Sequence, residues 1–296
     1  MSWLERVVDE LAAAAAWGYA PGGPAMSEPA ALAALALLAN ERADAARRPL
    51  EWLANLQSTD GSLGVCALLT APGWPTSLAV LAWQAARGTP AWDEANAAGI
   101  DRGVAWLLER RGVALPLNEE MGHDSTLVGW SWAEGTHSWV EPTAWAVLAL
   151  RATGRDEHPR AQEAVRLLVD RLLPTGGCNY GNTVVLGQLL RPHLQPTGLC
   201  LWAIARMGNT DPRIAASIRY LESELGPHTP TASLCYGLLG LAAHDRRPAT
   251  ADGWLAAAAA RTLKRDPSAH KLALLALAAA PASATIRPPY SEATAQ

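Results

Sequence analysis

A recurring dipeptide, Pro-Thr, limits the choice of fold more than any other feature of this sequence. It stands before apolar segments at Pro75-Thr76, Pro142-Thr143, Pro196-Thr197 and Pro230-Thr231. Degenerate copies begin at Glu28-Pro29 (EPAALAALALLA) and at His270 (HKLALLALAAA). Proline suits the start of a helix, because the N–H that it lacks would have no intrahelical partner there. Since the following segments are apolar on every side, each is predicted to be a buried helix. The predicted spans are 29–39, 75–87, 142–152, 196–207, 230–243 and 268–279.

Segments of a second kind alternate with these apolar ones. They mix charged residues with Leu, Trp and Ala at helical spacing, which is typical of amphipathic helices. Their predicted spans are 3–16, 47–57, 99–111, 159–173, 211–224 and 251–264. Strand signals are almost absent outside 182–190. The strict alternation predicts an all-α fold, a single (α/α)6 toroid with six apolar helices inside and six amphipathic helices outside. One such ring uses residues 1–281 as one domain, and 282–296 form a C-terminal tail.

Composition narrows the class of protein and its partners. Half of the residues are hydrophobic and 18% are charged, so a large core is available. The net charge of −4 and the lack of a Lys/Arg cluster argue against nucleic acid. No apolar run reaches the roughly 18 residues that span a bilayer. The N-terminal stretch is acidic, unlike a signal peptide. Four separate cysteines without a CxxC pair fit a reducing compartment, so a cytoplasmic location is expected.

The segments before the apolar helices carry a further pattern. Residues 48–64 read RPLEWLANLQSTDGSLG, and residues 102–110 read RGVAWLLER. These stretches resemble the QW repeat of the squalene–hopene cyclases and the protein prenyltransferase β subunits. Gln57, Asp60 and Gly61 match that repeat, whereas Leu63 and Cys178 stand where it has tryptophan. The resemblance implies the toroid fold and a terpenoid cyclase-like protein that acts on an isoprenoid.

The residues just before each Pro-Thr are expected to face one another at one mouth of the ring. Glu141 is the candidate proton donor among them. The stretch Trp139 to Ala144 resembles the acid motif of class II cyclases, Asp-x-Asp-Asp-Thr-Ala, but Trp139 and Pro142 replace the flanking aspartates. Alternatively, Glu141 only stabilises a helix N-terminus, where negative charge is favourable. Asp124 and His137 are candidate catalytic auxiliaries. Glu28 occupies the same repeat position without neighbouring tryptophans. A Glu28→Gln substitution is therefore expected to change neither ligand binding nor turnover.

Aromatic residues form the predicted binding surface. Indole faces stabilise cations by roughly 0.5–2 kcal/mol each, which a carbocation cascade would use. The predicted substrate-binding residues are Trp74, Trp130, Trp132, Trp139, Trp145, Tyr180, Gln195 and Tyr236. The alternative is that these rings fill the core or hold repeats together. For Trp52, Trp106 and Trp254, on outer helices, packing is the preferred interpretation.

No metal or other cofactor is predicted. Protein prenyltransferases bind zinc through Asp, Cys and His, and Cys200 and Cys235 stand near the starts of two inner helices. The family's ligand triplet is not preserved around either cysteine. An Asp-rich DDxxD run, which would bind Mg²⁺ for diphosphate ionisation, is missing as well.

Three functions are consistent with these features of the sequence. The first is a proton-initiated, squalene–hopene-like class II cyclase that acts on an isoprenoid in a Trp-lined central cavity. The second is a non-catalytic toroid that binds an apolar small molecule or a partner protein. The third is a prenyltransferase-like subunit that needs a second chain. Peripheral contact with a membrane is a further expectation that follows from an apolar substrate.

Overall fold

A computed structural model describes residues 1–280 of the chain. More than half of these residues are helical, which confirms the predicted all-α class. The twelve α-helices are α1 (Trp3–Ala13), α2 (Ser27–Ala39), α3 (Ala43–Leu56), α4 (Thr76–Ala86), α5 (Ala95–Glu109), α6 (Val140–Ala152), α7 (Pro159–Asp170), α8 (Leu194–Ile204), α9 (Pro212–Glu224), α10 (Thr231–Ala243), α11 (Ala251–Arg265) and α12 (Ala269–Ala279). A short 3₁₀ helix (Glu119–Met121) and a small antiparallel hairpin of β1 (Val184–Val185) and β2 (Gln188–Leu189) complete the described elements. The predicted tail, 282–296, lies outside the described residues.

The even-numbered helices form a closed inner ring. Each packs on the next, from α2 through α4, α6, α8 and α10 to α12, and α12 packs back on α2. The odd-numbered helices cover this ring from outside, each lying against the inner helices that flank it in the chain. This arrangement confirms the predicted (α/α)6 toroid. The inner position follows from composition, because in α6 every side chain except Arg151 is buried.

The Pro-Thr dipeptides all lie in the first turn of an inner helix, although their position in that turn varies. Pro75 and Pro230 directly precede α4 and α10, whereas Pro142 and Pro196 are the third residues of α6 and α8. All these positions are tolerated, because the first four N–H groups of a helix have no intrahelical acceptor. The sequence therefore predicted the starts of these four inner helices to within about two residues.

The threonine of the dipeptide has a structural role that the sequence pattern did not reveal. In three of the four dipeptides, its hydroxyl accepts a hydrogen bond from a backbone N–H in the loop before the helix, whereas the hydroxyl of Thr231 contacts that of Thr262. Leu63 N–H donates to Thr76 Oγ1 (2.8 Å), Trp130 N–H to Thr143 Oγ1 (3.0 Å), and Cys178 N–H to Thr197 Oγ1 (2.9 Å). The loops before α4, α6 and α8 are thus fastened to the ring in the same way.

All the connections from an outer helix to the next inner helix lie at the same end of the ring, here called the loop face. These connections are residues 14–26, 57–75, 110–139, 171–193, 225–230 and 266–268. The connections at the opposite end are no longer than eight residues, the longest being 87–94. Long loops at one end of a rigid ring are where binding residues are usually found.

Candidate functional site

A cavity of about 500 Å³ opens on the loop face between the starts of α4 and α6 and the end of α5. Its walls include four indole rings, from Trp74, Trp106, Trp130 and Trp132. We call it the tryptophan cavity. Three of these residues were predicted to bind a ligand. The fourth, Trp106, was interpreted as a packing residue of an outer helix, and the structure shows that it also lines this cavity.

The indole rings of the tryptophan cavity are held in fixed positions. Trp74 and Trp132 meet edge to face, with ring centroids 4.7 Å apart and planes at 83°. Trp130 donates its indole N–H to Leu107 O (3.0 Å), and the guanidinium of the buried Arg160 lies 4.4 Å from its ring centroid. Trp130 is therefore a buried wall, while Trp74 and Trp132 are only half-buried. The exposed corner they form is the part of the cavity that a ligand can reach.

Charged residues of both signs surround these rings. Arg110 lies over the Trp106 ring at 5.5 Å, forms an ion pair with Glu134 (2.7 Å) and approaches Asp60 (3.9 Å). Hydrogen bonds from Ser62 lower the pKa of Asp60, so this carboxylate is ionised at neutral pH. Within residues 1–280, neither Glu109 nor Arg111 belongs to an ion pair, although both line the cavity. The walls are thus apolar and the rim is charged.

Glu141 lies in a second place, on the axis of the ring. Its side chain is buried at 8% exposure, and Gln195 Nε2 donates a hydrogen bond to its Oε1 (2.9 Å). Burial raises the pKa of Glu141 to about 7, and the charge of Glu28 adds to this effect, while the Gln195 hydrogen bond opposes it. Glu141 is therefore largely protonated just below neutral pH, unlike an ordinary surface glutamate.

Glu28 belongs to the same cluster. Its carboxylate accepts hydrogen bonds from the hydroxyls of Tyr19 and Tyr236, and His270 Nε2 lies 3.8 Å from its Oε1. Burial alone would raise the pKa of Glu28. The contacts with His270 and the two tyrosines outweigh burial, so the pKa lies below its ordinary value. We call these residues, with Glu141 and Gln195, the axial cluster. The expectation that Glu28→Gln is silent stays a prediction, but these contacts make Glu28 a poor control for Glu141.

Aromatic side chains fill the ring next to the axial cluster. Trp145 contacts Trp202 (centroids 5.8 Å apart) and Tyr236 (6.2 Å), in both cases edge to face. Trp145 and Tyr236 are almost completely buried. Both were predicted to bind substrate, and the structure places them in the core instead of the tryptophan cavity. Gln195 contacts Glu141, and this pairing joins two residues that the sequence predicted to face each other.

The remaining predicted residues lie in the loops of the loop face. The Asp124 carboxylate accepts hydrogen bonds from Thr126, which lower its pKa. His137 stacks on Trp139, with centroids 4.6 Å apart, and lines a smaller cavity of about 140 Å³. Within residues 1–280, no hydrogen bond links Asp124 or His137 to Glu141. Tyr180 is partly exposed, and burial together with the charge of Glu141 raises its pKa.

The described residues contain neither a metal site nor a membrane-spanning helix. Among residues 1–280, no group of three or more His, Cys, Asp or Glu side chains is placed to hold a metal ion. Cys200 and Cys235 are fully buried, and burial contributes to the raised pKa of each thiol. None of the helices in this part of the chain is both long enough and apolar enough to cross a bilayer.

Comparisons with known proteins give the fold and nothing further. The sequence matches no family model and no curated protein. A crystal structure of a protein from Actinoplanes is similar to this chain, with a TM-score of 0.54 at 18% identity over 88% of this chain and 79% of that chain. Part of native alpha-2-macroglobulin from Escherichia coli gives a TM-score of 0.51 at 14% identity, over 92% of this chain and 41% of that chain.

A mutant of Salmonella alpha-2-macroglobulin gives a TM-score of 0.50 at 14% identity, over 100% of this chain and 18% of that one. The chain thus spans less than half the length of both macroglobulin structures. At such low identities, these likenesses show a shared fold alone, because one fold carries many functions. The resemblance to squalene–hopene cyclases therefore stays a prediction.

Proposed function

We propose that this protein is a binding protein that holds its ligand in the tryptophan cavity. The observation that carries the proposal is the exposed corner formed by Trp74 and Trp132 beside a cavity of about 500 Å³. Ligand pockets of proteins are concave, are lined largely by aromatic side chains and carry a few polar groups, and they measure ~300–1,000 Å³. The cavity is concave and falls within this size range, four of its lining residues are tryptophans, and it is more polar at its rim than such pockets usually are. Its location on the loop face leaves it open to solvent.

The rigidity of the walls supports the same function. Trp130 is fixed by Leu107 O and Arg160, and its backbone N–H is held by Thr143. A preformed site loses less conformational entropy when a ligand binds than a site that must be ordered first. The cavity is therefore built to bind without rearrangement.

The test is a Trp132→Ala variant, titrated with the uncharged apolar dye N-phenyl-1-naphthylamine. Removing one face of the corner is expected to weaken dye binding by about tenfold, the effect of losing roughly 1.4 kcal/mol of contact energy. The matched control is Trp92→Ala. Trp92 also lies beside an arginine, with Arg87 4.9 Å from its ring centroid, but it does not line the tryptophan cavity. Far-UV circular dichroism checks that both variants are folded. Equal dye affinity in wild type and Trp132→Ala would contradict the proposal.

A second candidate function is proton-initiated chemistry on an isoprenoid, with Glu141 as the acid. The observation that favours it is the buried, hydrogen-bonded carboxyl of Glu141, which keeps its proton up to a pH of about 7. Two features place it second. A raised pKa makes Glu141 a weaker acid, whereas protonating an alkene requires a strong one. In addition, Pro142 lines the tryptophan cavity, and Glu141 does not.

Incubation with a panel of polyprenyl substrates, followed by mass spectrometry, tests this candidate. If Glu141 donates the proton, Glu141→Gln is expected to abolish product formation, and Glu141→Asp to retain part of it. The control is Glu222→Gln, which alters an outer-helix glutamate paired with Arg246. Glu28 is not a suitable control, because it belongs to the axial cluster. Absence of product with the wild-type protein would eliminate the cyclase candidate and leave the binding function standing.

A further inference from the structure

We infer that the ligand of the tryptophan cavity is a carbohydrate. This inference rests on the proposed binding function and names the class of ligand. It follows from four properties of the cavity: its charged rim, the balance of those charges, its unused hydrogen-bonding groups and the flatness of its apolar walls.

The charged rim disfavours a purely apolar ligand. Glu109 and Arg111 line the cavity, and within residues 1–280 neither has an ion-pair partner. Both side chains are exposed to solvent in the free protein. A ligand that covers them would remove water from them, and removing a polar group from water without giving it a new partner is costly. A ligand with hydrogen-bonding groups at the rim therefore fits this cavity better than a purely apolar one.

The balance of charge disfavours a strongly ionic ligand. Asp60, Glu109 and Glu134 supply three negative charges, while Arg110 and Arg111 supply two positive ones. Arg110 is already paired with Glu134 and lies over the Trp106 ring. Because charges of both signs surround the opening, a cation and an anion would each be attracted by some rim residues and repelled by others. The rim suits a neutral ligand.

Unused hydrogen-bonding groups on the walls call for hydroxyls. In the described part of the chain, the indole N–H groups of Trp74 and Trp132, which line the cavity, donate to no protein acceptor. Glu109 offers acceptors and Arg111 offers donors. A hydroxyl group both donates and accepts, so a ligand rich in hydroxyls can satisfy both kinds of partner.

The shape of the apolar surface separates a sugar from a peptide. Among the described residues, the apolar lining consists of Leu107, flat indole rings, two prolines and small residues. The cavity therefore lacks a cluster of branched aliphatic side chains that could enclose the side chain of a peptide. A pyranose ring has flat C–H faces bordered by hydroxyls. One such face can lie on an indole of the Trp74–Trp132 corner, while the perpendicular ring contacts its edge. A sugar thus offers a flat apolar face to the indole rings and hydroxyl groups to the polar rim.

The full-length protein is first screened on a broad glycan array. The soluble glycans that bind are then titrated by calorimetry, and so are maltohexaose, cellohexaose, xylohexaose and chitohexaose, whatever the array shows. We expect at least one glycan to bind and to displace N-phenyl-1-naphthylamine. Trp132→Ala is expected to weaken this binding about tenfold or more, and Trp132→Phe less, because a smaller flat ring remains. Glu109→Gln is expected to weaken glycan binding severalfold while it leaves dye binding unchanged. Trp92→Ala is the control and should match wild type.

The outcomes distinguish the two proposals. If the dye binds at the tryptophan cavity and no glycan does, the carbohydrate inference is overturned and the binding function stands. The same holds if an uncharged peptide displaces the dye and glycans do not. If neither dye nor glycan binds in a manner that depends on Trp132, both proposals fall. Glycan binding that is lost in Trp132→Ala and retained in Trp92→Ala supports both.

Discussion

At the scale of single residues, the axial cluster shows how two glutamates at equivalent repeat positions acquire different chemistry. Among residues 1–280, Glu28 has two tyrosine hydroxyls and His270 as partners, whereas Glu141 has Gln195 alone. When two carboxyl groups lie close together in a buried site, their environments separate their pKa values. The pKa of Glu28 is lowered, and that of Glu141 is raised to about 7. A neutral carboxyl supplies no charge to a helix N-terminus, so the protonation state of Glu141 decides between its two interpretations.

The raised pKa of Glu141 predicts a pH dependence of stability. The pKa rises from an ordinary value of 4.5 to about 7 in the folded protein. The stabilising contribution of the protonated group is therefore fully present below about pH 4.5, and it is lost as the pH rises through about 7. Glu141→Gln removes this titration. The variant is expected to be more stable than wild type at pH 8 by roughly 1–3 kcal/mol.

Urea unfolding of wild type and Glu141→Gln between pH 4.5 and 8 measures this effect. Only the difference between the two proteins is interpreted, because other groups titrate in the same range. The advantage of the variant should grow with pH across this window. A difference that does not change with pH would contradict the raised pKa, and a variant that is less stable at pH 8 would restore the helix-stabilising role.

At the scale of elements, the contact between α8 and α10 depends on glycine. A side-chain carbon added at Gly198 would lie 2.2 Å from Tyr236 O, and one added at Gly240 would lie 2.4 Å from Gly198 O. The two inner helices therefore approach backbone to backbone. Such a contact cannot be relieved by rotating a side chain, so the helices themselves would have to move apart.

Gly198→Ala is expected to destabilise the protein by about 1–3 kcal/mol, the usual cost of overpacking. The matched control is Gly253→Ala on α11, where an added carbon meets nothing within 4 Å. The control should be neutral or more stable by about 0.5–1 kcal/mol, since alanine favours a helix interior. Urea denaturation measures both. A Gly198→Ala variant as stable as the control would show that the helices are not in such close contact.

The loops show a second property of the elements. Three loops carry different residues at the position that contacts the Pro-Thr threonine, namely Leu63, Trp130 and Cys178, yet each donates the same backbone hydrogen bond. Because the bond uses the backbone, the side chain at that position can vary. The three loops accordingly differ in sequence at this position while the threonine is the same.

At the scale of the whole molecule, the inner ring closes through its first and last helices. Asn40 Nδ2, at the end of α2, donates to Ala276 O in α12 (3.3 Å), and His270 lies against Glu28. Every inner helix therefore has a neighbour on both sides, and no inner helix can leave without exposing the apolar faces of two others. Such coupling favours cooperative unfolding.

We therefore predict one unfolding transition for the domain. Far-UV circular dichroism, which follows the helices, and tryptophan fluorescence, which follows packing, should give the same midpoint in urea. The prediction that the toroid is a single domain stays open until this is measured. Two separated midpoints, or a plateau between them, would show that part of the ring unfolds on its own.

The sequence by itself determined the helices and their order in the ring. Apolar segments with proline in the first turn can only be buried, and amphipathic segments between them can only cover the buried ones, so local composition fixed the double ring. The approach of Glu141 and Gln195 followed from the same repeat. These properties depend on residues within one helix or at one repeat position, which a sequence displays directly.

Only the tertiary structure decided which candidate residues meet. Trp132 and Trp145 were both predicted to bind a ligand, yet one lines an open cavity and the other fills the core. Trp106 reaches the cavity from an outer helix, and Tyr19 and His270 reach Glu28 from opposite ends of the chain. The path of a long loop also depends on other helices, as when Arg160 on α7 donates to Val128 O and Gly129 O in the loop before α6. The spacing of residues along the chain does not show those contacts. The candidate binding site could therefore be located only in the folded structure.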